Sequence, residues 1–390
     1  MTEARLKIGL LTDNYPHTGG FGGIGSYTRS VGEELARRGH DVHIFTLSDT
    51  TELRRSTING TTVWECPGWS KRRQMPFMNA AEFTLKYKAD AVYLFRYTIM
   101  VAVRKAAQGG KFDVIESPEF GALGDLVLPG GYTRRFAVRL HGPANKWDVL
   151  RKAERALTLG ADVVTTPTVA SREQCEELWG ILIPNAIVIG NPAKPPPPMP
   201  EHQPTTQSAL FFGRLEPRKG VDVLAEAVGK VRLRHPNFHM IFSGKNVPWP
   251  DGRMGSQVIR DIADSTGGTG GYTVCEPPLS DQGLLETARR GTLCIFPSRL
   301  ETFGLSFLEG MMWGVPTVVT DIPPFRELAE DGVHSLFARN EDADDLAAKI
   351  CQVLDDPALA QRLGRNAQPH SMQWSVTALA PKLIDAWMHQ

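Results

Sequence analysis

Cysteine is scarce in this chain. Five occur among 390 residues, at Cys66, Cys175, Cys275, Cys294 and Cys351, and no two form a C-x-x-C pair. That spacing excludes a disulfide framework and a structural zinc site as the organising device. Scattered single cysteines fit small buried side chains in a reducing compartment. An excess of one charge is also missing, with 43 Lys plus Arg against 43 Asp plus Glu. The field that draws a protein to nucleic acid is therefore absent, and nucleic acid is not an expected partner. Long apolar runs are missing too: the most apolar stretch, 91–103, contains Arg96 and is too short to span a bilayer. The first residues lead straight into a strand without a signal-peptide core, so the expected compartment is the cytoplasm. Lys71, Arg72 and Arg73 are basic, but three charges make a poor lipid anchor, so peripheral membrane contact is not indicated.

What is present is an ordinary globular composition, 42% apolar and 22% charged, in a chain long enough for two domains. Residues 7–12 (KIGLLT) read as a buried strand and 26–38 as a helix stopped at Gly39. Further strands are expected at 41–47, 114–116, 136–140 and 162–166. This alternation argues for a parallel sheet covered on both faces. At 192–207 the proline-rich run Pro195 to Pro198 reads as a stiff linker. Alternation then restarts, with strands at 208–213, 238–243, 293–297 and 317–320 and helices at 221–235 and 305–313. The expectation is α/β: two doubly wound Rossmann-like domains, 1–191 and 208–371, facing across a cleft. A C-terminal amphipathic segment, 374–388, ends the chain.

Three motifs carry chemistry. Gly20-Phe21-Gly22-Gly23-Ile24-Gly25 precedes a helix, where small residues let backbone amides approach a phosphate. A dinucleotide site is one reading, but its fingerprint needs a glycine directly after the strand, and here 13–19 intervene. Gly213-Arg214-Leu215-Glu216-Pro217-Arg218-Lys219-Gly220 follows the first strand of the second domain. Ligands of open α/β sheets bind at such strand ends, and Arg214 and Lys219 suit a diphosphate. The third run, Glu301-Thr302-Phe303-Gly304-Leu305-Ser306-Phe307-Leu308-Glu309-Gly310, sets Glu309 in an apolar helix, where a carboxylate needs a partner such as a ribose diol. Amides around Phe303, Gly304 and Leu305 offer phosphates a positive helix end. Asp342-Ala343-Asp344 matches a metal-binding D-x-D, but it opens a helix, where carboxylates cap amides.

In this order the motifs resemble the retaining glycosyltransferases of family 4, the sucrose-synthase and mannosyltransferase-like group with the GT-B fold. The resemblance rests on G-G-I-G-S-Y at 22–27, A-D-x-V at 161–164, G-R-L-x-x-x-K-G at 213–220, E-T-F-G-L-S-F-L-E-G at 301–310 and W-G-V-P-T-V-V-T-D at 313–321. It implies that Gly22 and Gly23 close over the donor phosphates and that Arg214 and Lys219 clamp the diphosphate. It also implies that Glu309 binds the ribose, that Glu301 contacts the transferred sugar and that His141 lies near the anomeric centre. Tyr15, Glu116 and Glu119 stand at strand ends expected to face an acceptor. A terminal helix, 372–390, that crosses back to the first domain is another family feature.

The implied reaction is hexosyl transfer, with retention and without a metal or cofactor, from a nucleoside-diphosphate sugar to a small-molecule or glycan acceptor. UDP is the preferred nucleotide and GDP the next. Two departures stand out: Ile189-Gly190-Asn191-Pro192-Ala193 replaces P-N-G-V-D, and Gly244-Lys245-Asn246 with 249–255 replaces a G-x-G-P loop near the base. The rivals are a UDP-sugar isomerase or epimerase on the same fold and a nicotinamide oxidoreductase.

Overall fold

The computed structural model describes residues 4–15, 22–67, 88–143 and 148–389, without the side chains of 88–94. Phe21, the basic trio at 71–73 and the first part of the glycine-rich loop lie outside them. The chain divides into two compact units: Met1–Lys194 with Val376–Gln390, and Pro195–Ser375. Residues 192–207 contain no helix or regular strand.

In unit 1 the strands are β1 (Lys7–Thr12), β2 (Asp41–Ser48), β3 (Arg54–Ile58), β4 (Thr61–Pro67), β5 (Phe112–Pro118), β6 (Thr133–Arg139), β7 (Val163–Thr166) and β8 (Ile187–Val188). They form one sheet, ordered β3-β4-β2-β1-β5-β6-β7-β8. One expectation needs correcting, because the sheet is not wholly parallel: β3 pairs antiparallel with β4. The cause is local. Asn59 and Gly60 adopt φ of 47° and 82°, the left-handed pair that a tight hairpin turn requires.

Helices α1 (Gly23–Arg37), α2 (Lys88–Ala106), α3 (Asp148–Gly160) and α4 (Val169–Trp179) complete the first pass of the chain through this unit. The core under the sheet gathers Phe45, Trp64, Phe112, Ile115 and Phe136. Cys66 and Cys175 are buried there as free thiols.

Unit 2 is a parallel sheet of β9 (Ser208–Phe212), β10 (His239–Ser243), β11 (Tyr272–Cys275), β12 (Leu293–Phe296), β13 (Thr317–Thr320) and β14 (Leu336–Ala338). Its order is β11-β10-β9-β12-β13-β14. The helices are α5 (Val221–Arg234), α6 (Gly255–Ser265), α7 (Asp281–Arg290), α8 (Leu305–Met312), α9 (Pro323–Leu328), α10 (Ala343–Asp355) and α11 (Pro357–Ser371). Asp342 caps α10 by accepting from the Asp345 amide at 2.8 Å, and Asp344 pairs with Lys230 at 2.6 Å.

The chain returns to unit 1 in α12 (Val376–His389). The Val376 amide bonds to Ala193 O at 3.0 Å, and Arg38 bonds to Thr377 O at 2.7 Å.

Both sheets reverse strand order at one point, between β1 and β5 in unit 1 and between β9 and β12 in unit 2. Loops leaving adjacent strands there run to opposite faces and open a crevice at the carboxyl ends. Two motif loops of unit 2, 213–220 and 297–304, follow β9 and β12.

Candidate functional site

Unit 2 offers a compact charged cluster at its switch point. Pro217–Lys219 form a single tight helical turn, closed by Gly220 at φ 63°. A Cβ on Gly220 would lie 1.9 Å from Pro297 O, so only glycine lets the two loops meet. Arg299 ties them together. Its guanidinium bonds to Pro217 O at 2.6 Å and to Asp222 at 2.7 and 2.8 Å, and its amide bonds to Arg218 O at 2.9 Å.

Glu301, 6% exposed, is thereby brought against two cations. Lys219 Nζ donates to its Oε1, Arg218 Nη1 to its Oε2 at 3.1 Å, and Ser298 Oγ to Oε1 at 2.9 Å. Burial pushes this carboxyl up, but Lys219 and Arg218 outweigh it and hold it below the ordinary range. Glu301 is therefore an anion that keeps two cations in fixed positions.

Immediately after this loop the chain enters α8 through Gly304, whose φ is 106°. A Cβ there would meet the Phe325 ring at 2.5 Å. Phe303 is buried, and Glu309 sits half-buried on α8, whose Phe307, Leu308, Met311 and Met312 are buried. Arg214 is more than half exposed and reaches the cluster only through Glu216, with which it pairs at 3.3 Å and which also accepts from Arg218 at 2.9 Å. The cation that shares Glu301 with Lys219 is thus Arg218, which motif reading passed over. The signal was present in Glu216-Pro217-Arg218-Lys219, where proline starts a tight turn and fans two adjacent cations outward.

Unit 1 builds a second group of charges at the carboxyl ends of β5 and β6. Arg139 is fully buried. It donates to Asn191 Oδ1 at 2.9 Å, Ile189 O at 2.7 Å, Gly190 O at 3.1 Å and Thr165 Oγ1 at 3.2 Å. The departure from P-N-G-V-D at 189–193 therefore has a structural role, since these residues supply acceptors for a buried guanidinium. Arg139 also lies 4.4 Å over the Tyr27 ring, and Tyr27 meets the partly exposed His141 edge-on at 5.1 Å. Burial, then the charge of Arg139, holds His141 well below the usual histidine value. Its imidazole is neutral, fit to give or take one hydrogen bond rather than to carry charge.

The residues expected at the acceptor side are interior ones. Tyr15 and Glu119 are fully buried and Glu116 is nearly so. Burial raises Glu116, against the pull of Arg139, and the indole of Trp387 on α12 donates to it at 3.1 Å. Glu119 accepts backbone amides from the His141 turn. Of the glycine-rich loop, Gly22 caps α1 and Gly23 faces open space, while a Cβ on Gly25 would lie 2.3 Å from Asn14 Oδ1. Gly25 is thus required for packing, and Gly23 leaves room beside the helix end.

Among the described residues no group of three or more His, Cys, Asp or Glu is arranged to hold a metal, and no helix is long and apolar enough to cross a membrane.

Residues 22–192 match the family described as a glycosyl transferase 4-like domain, and 199–370 match the glycosyl transferases group 1. The chain is similar to a D-inositol 3-phosphate glycosyltransferase of Acidothermus cellulolyticus, at 25% identity over 92% of this chain and 84% of the relative. Among solved structures it resembles sucrose-phosphate synthase from Thermosynechococcus elongatus, with a TM-score of 0.75, 18% identity and 98% of each chain covered. It also resembles Anabaena HepE in complex with UDP and glucose, with a TM-score of 0.72, 16% identity, and 99% of this chain and 100% of that one covered.

Proposed function

The chain belongs to the family 4-type glycosyltransferases, and from that premise we propose that it moves a hexosyl unit, with retention and without a metal, from a nucleoside-diphosphate sugar to a small hydroxyl-bearing acceptor. The observation that carries the reading is the grip of Lys219 and Arg218 on buried Glu301, one turn of chain before the N-terminus of α8. In this reading unit 2 takes the donor. Lys219, the exposed Arg214 and the helix end face the diphosphate, Glu309 accepts from the ribose hydroxyls and Glu301 from the sugar. Charge grows on the leaving diphosphate as the C1–O bond lengthens, so preorganised cations lower the barrier more than they tighten the ground state. The acceptor oxygen bonds to C1 on the same face, and its proton passes to the departing phosphate oxygen. Neutral His141 is assigned to a hydrogen bond with the transferred sugar, and Gly22 and Gly23 to the phosphates.

UDP-sugars come first among donors and GDP-sugars second. The name of the curated relatives makes a phosphorylated polyol the first acceptor to try. The test is a panel of nucleotide-sugars, scored by calorimetry, then by proton NMR of fresh product. Transfer with the donor's anomeric configuration is expected. Glu309→Ala should weaken UDP binding roughly ten- to a hundredfold, the worth of a hydrogen bond to a charged group. An inverted linkage would sink the same-face step. Rearrangement of the donor with no acceptor present would make the protein an isomerase.

A further inference from the structure

Glu119 lies outside every motif, yet its surroundings are those of a working part. Its carboxylate is fully buried and accepts from the His141 amide with both oxygens, at 2.7 and 2.8 Å, and from the Gly142 amide at 2.6 Å. The backbone of Glu119 is bolted in place. Its N–H bonds to Arg139 O at 3.1 Å, and its carbonyl accepts from Ala122 at 2.8 Å. The next residues are fixed as well: Gly121 N–H donates to Glu154 on α3 at 2.9 Å, and Gly121 O accepts from Arg96 on α2 at 3.0 Å. The turn at 141–142 is held differently. The Glu119 carboxylate takes the amides of both its residues, and Gly142 has a φ of 127°.

We propose that Glu119 is the positioning residue for the His141 turn, and that it holds the turn only as a carboxylate, so that protonating Glu119 releases it. The proposal rests on the reading of His141 given above and adds to it a control by pH. An ionised carboxylate can accept several amides at once. A protonated one offers fewer lone pairs and an O–H with no acceptor among the amides it faces.

The groups around Glu119 set where the change falls. Glu154 faces it from α3, Cys175 from α4, and the amides of His141 and Gly142 from the turn after β6, while Glu176 on α4 acts on Cys175. Burial pushes Glu119 up, to about 7, with Glu154 adding to the rise and the two amides pulling against it. Arg139 is engaged with Asn191 and neighbouring carbonyls.

Two measurements test this on the full chain. With 15N-histidine labelling and no substrate, the His141 amide shift should titrate with a midpoint near neutrality. Glu119→Gln should abolish that titration, and Glu154→Gln should move its midpoint to lower pH by removing the like charge. In turnover, kcat/KM should show an acid limb at the same pH. Glu119→Gln should lower kcat/KM roughly tenfold to a hundredfold at alkaline pH and flatten the limb, the scale of a misplaced active-site group. A purely structural Glu119 would lower activity and leave the limb in place. A His141 amide that does not titrate, or that titrates unchanged in Glu119→Gln, overturns the proposal. Should Glu119→Gln fail to fold, an unmoved midpoint in Glu154→Gln overturns it instead. Because the amide measurement needs no donor or acceptor, it decides the positioning claim even if transferase activity is never found.

Discussion

Trp387 donates its indole N–H to Glu116 at 3.1 Å, joining residues 271 positions apart in the chain. Both are buried, and Glu116 adjoins the segment that fixes Glu119. Helix α12 is thus tied by a hydrogen bond to β5. Without this donor the buried Glu116 keeps the charge of Arg139 beside it but loses a hydrogen bond to its carboxyl. Trp387→Phe keeps most of the ring and removes the donor. It should destabilise unit 1 by roughly 1–3 kcal/mol, the cost of leaving a buried polar group short of a hydrogen-bond partner. Urea unfolding followed by a probe in unit 1 measures this, and an unchanged midpoint would mean that the bond contributes nothing.

Glu119 also makes a prediction about stability alone. Its pKa rises on folding, from the ordinary 4.5 to about 7, so the folded state holds the proton more tightly than the unfolded one. The stabilisation from the neutral form is fully present below about pH 4.5 and is lost as pH rises through about 7. A rise of this size corresponds to about 3 kcal/mol. The unfolding free energy of the wild type, minus that of Glu119→Gln, should therefore fall by an amount of that order across the window. A difference that stays level with pH, or grows as pH rises, would contradict the assignment.

Arg214 and Lys219 separate by the same kind of reasoning. Arg214 is exposed and paired with Glu216, whereas Lys219 is largely buried against Glu301. Both should lower kcat by roughly a hundredfold when changed to Ala, because both face charge that grows in the transition state. Only Lys219→Ala should also lower thermal stability, since it leaves buried Glu301 with one cation fewer. Arg214→Lys should fail to restore kcat, because the planar fork is lost. If KM alone rose in these variants, the residues would bind ground state and transition state equally.

Much of the scaffold was legible because its signals are local. The strand expected at 7–12 is Lys7–Thr12, and the one expected at 317–320 is Thr317–Thr320. Apolar runs bounded by turn residues mark such buried strands without any knowledge of their neighbours. The hairpin at Asn59-Gly60 is equally local, but a β-α alternation pattern carries no signal for two adjacent antiparallel strands. The order of strands was not legible, since it depends on which runs pair across the sheet. The charged cluster was half legible: the motif gave Lys219 and Glu301, but which arginine reaches Glu301 depends on the direction in which a three-residue turn fans its side chains. Glu119 was the least legible, because its role lies in two backbone amides, which leave no mark in the amino-acid pattern.

The acidic run at 341–345 provides the last prediction. Asp342 caps the Asp345 amide at the start of α10 and lies 3.0 Å from Arg339, and Asp344 reaches Lys230 on α5. Each carboxylate therefore has a partner within unit 2 that accounts for it. Asparagine caps a helix about as well as aspartate, and the Lys230 pair is exposed, where such pairs contribute little. The double variant Asp342→Asn with Asp344→Asn should fold with near-native stability and turn over at the wild-type rate. If the positive charge on the leaving group comes from Lys219, Arg214 and the end of α8, activity should also survive EDTA. Loss of turnover in the double variant, together with loss in EDTA that added divalent cation restores, would return the D-x-D to a metal-binding role and displace the side-chain cations from the mechanism.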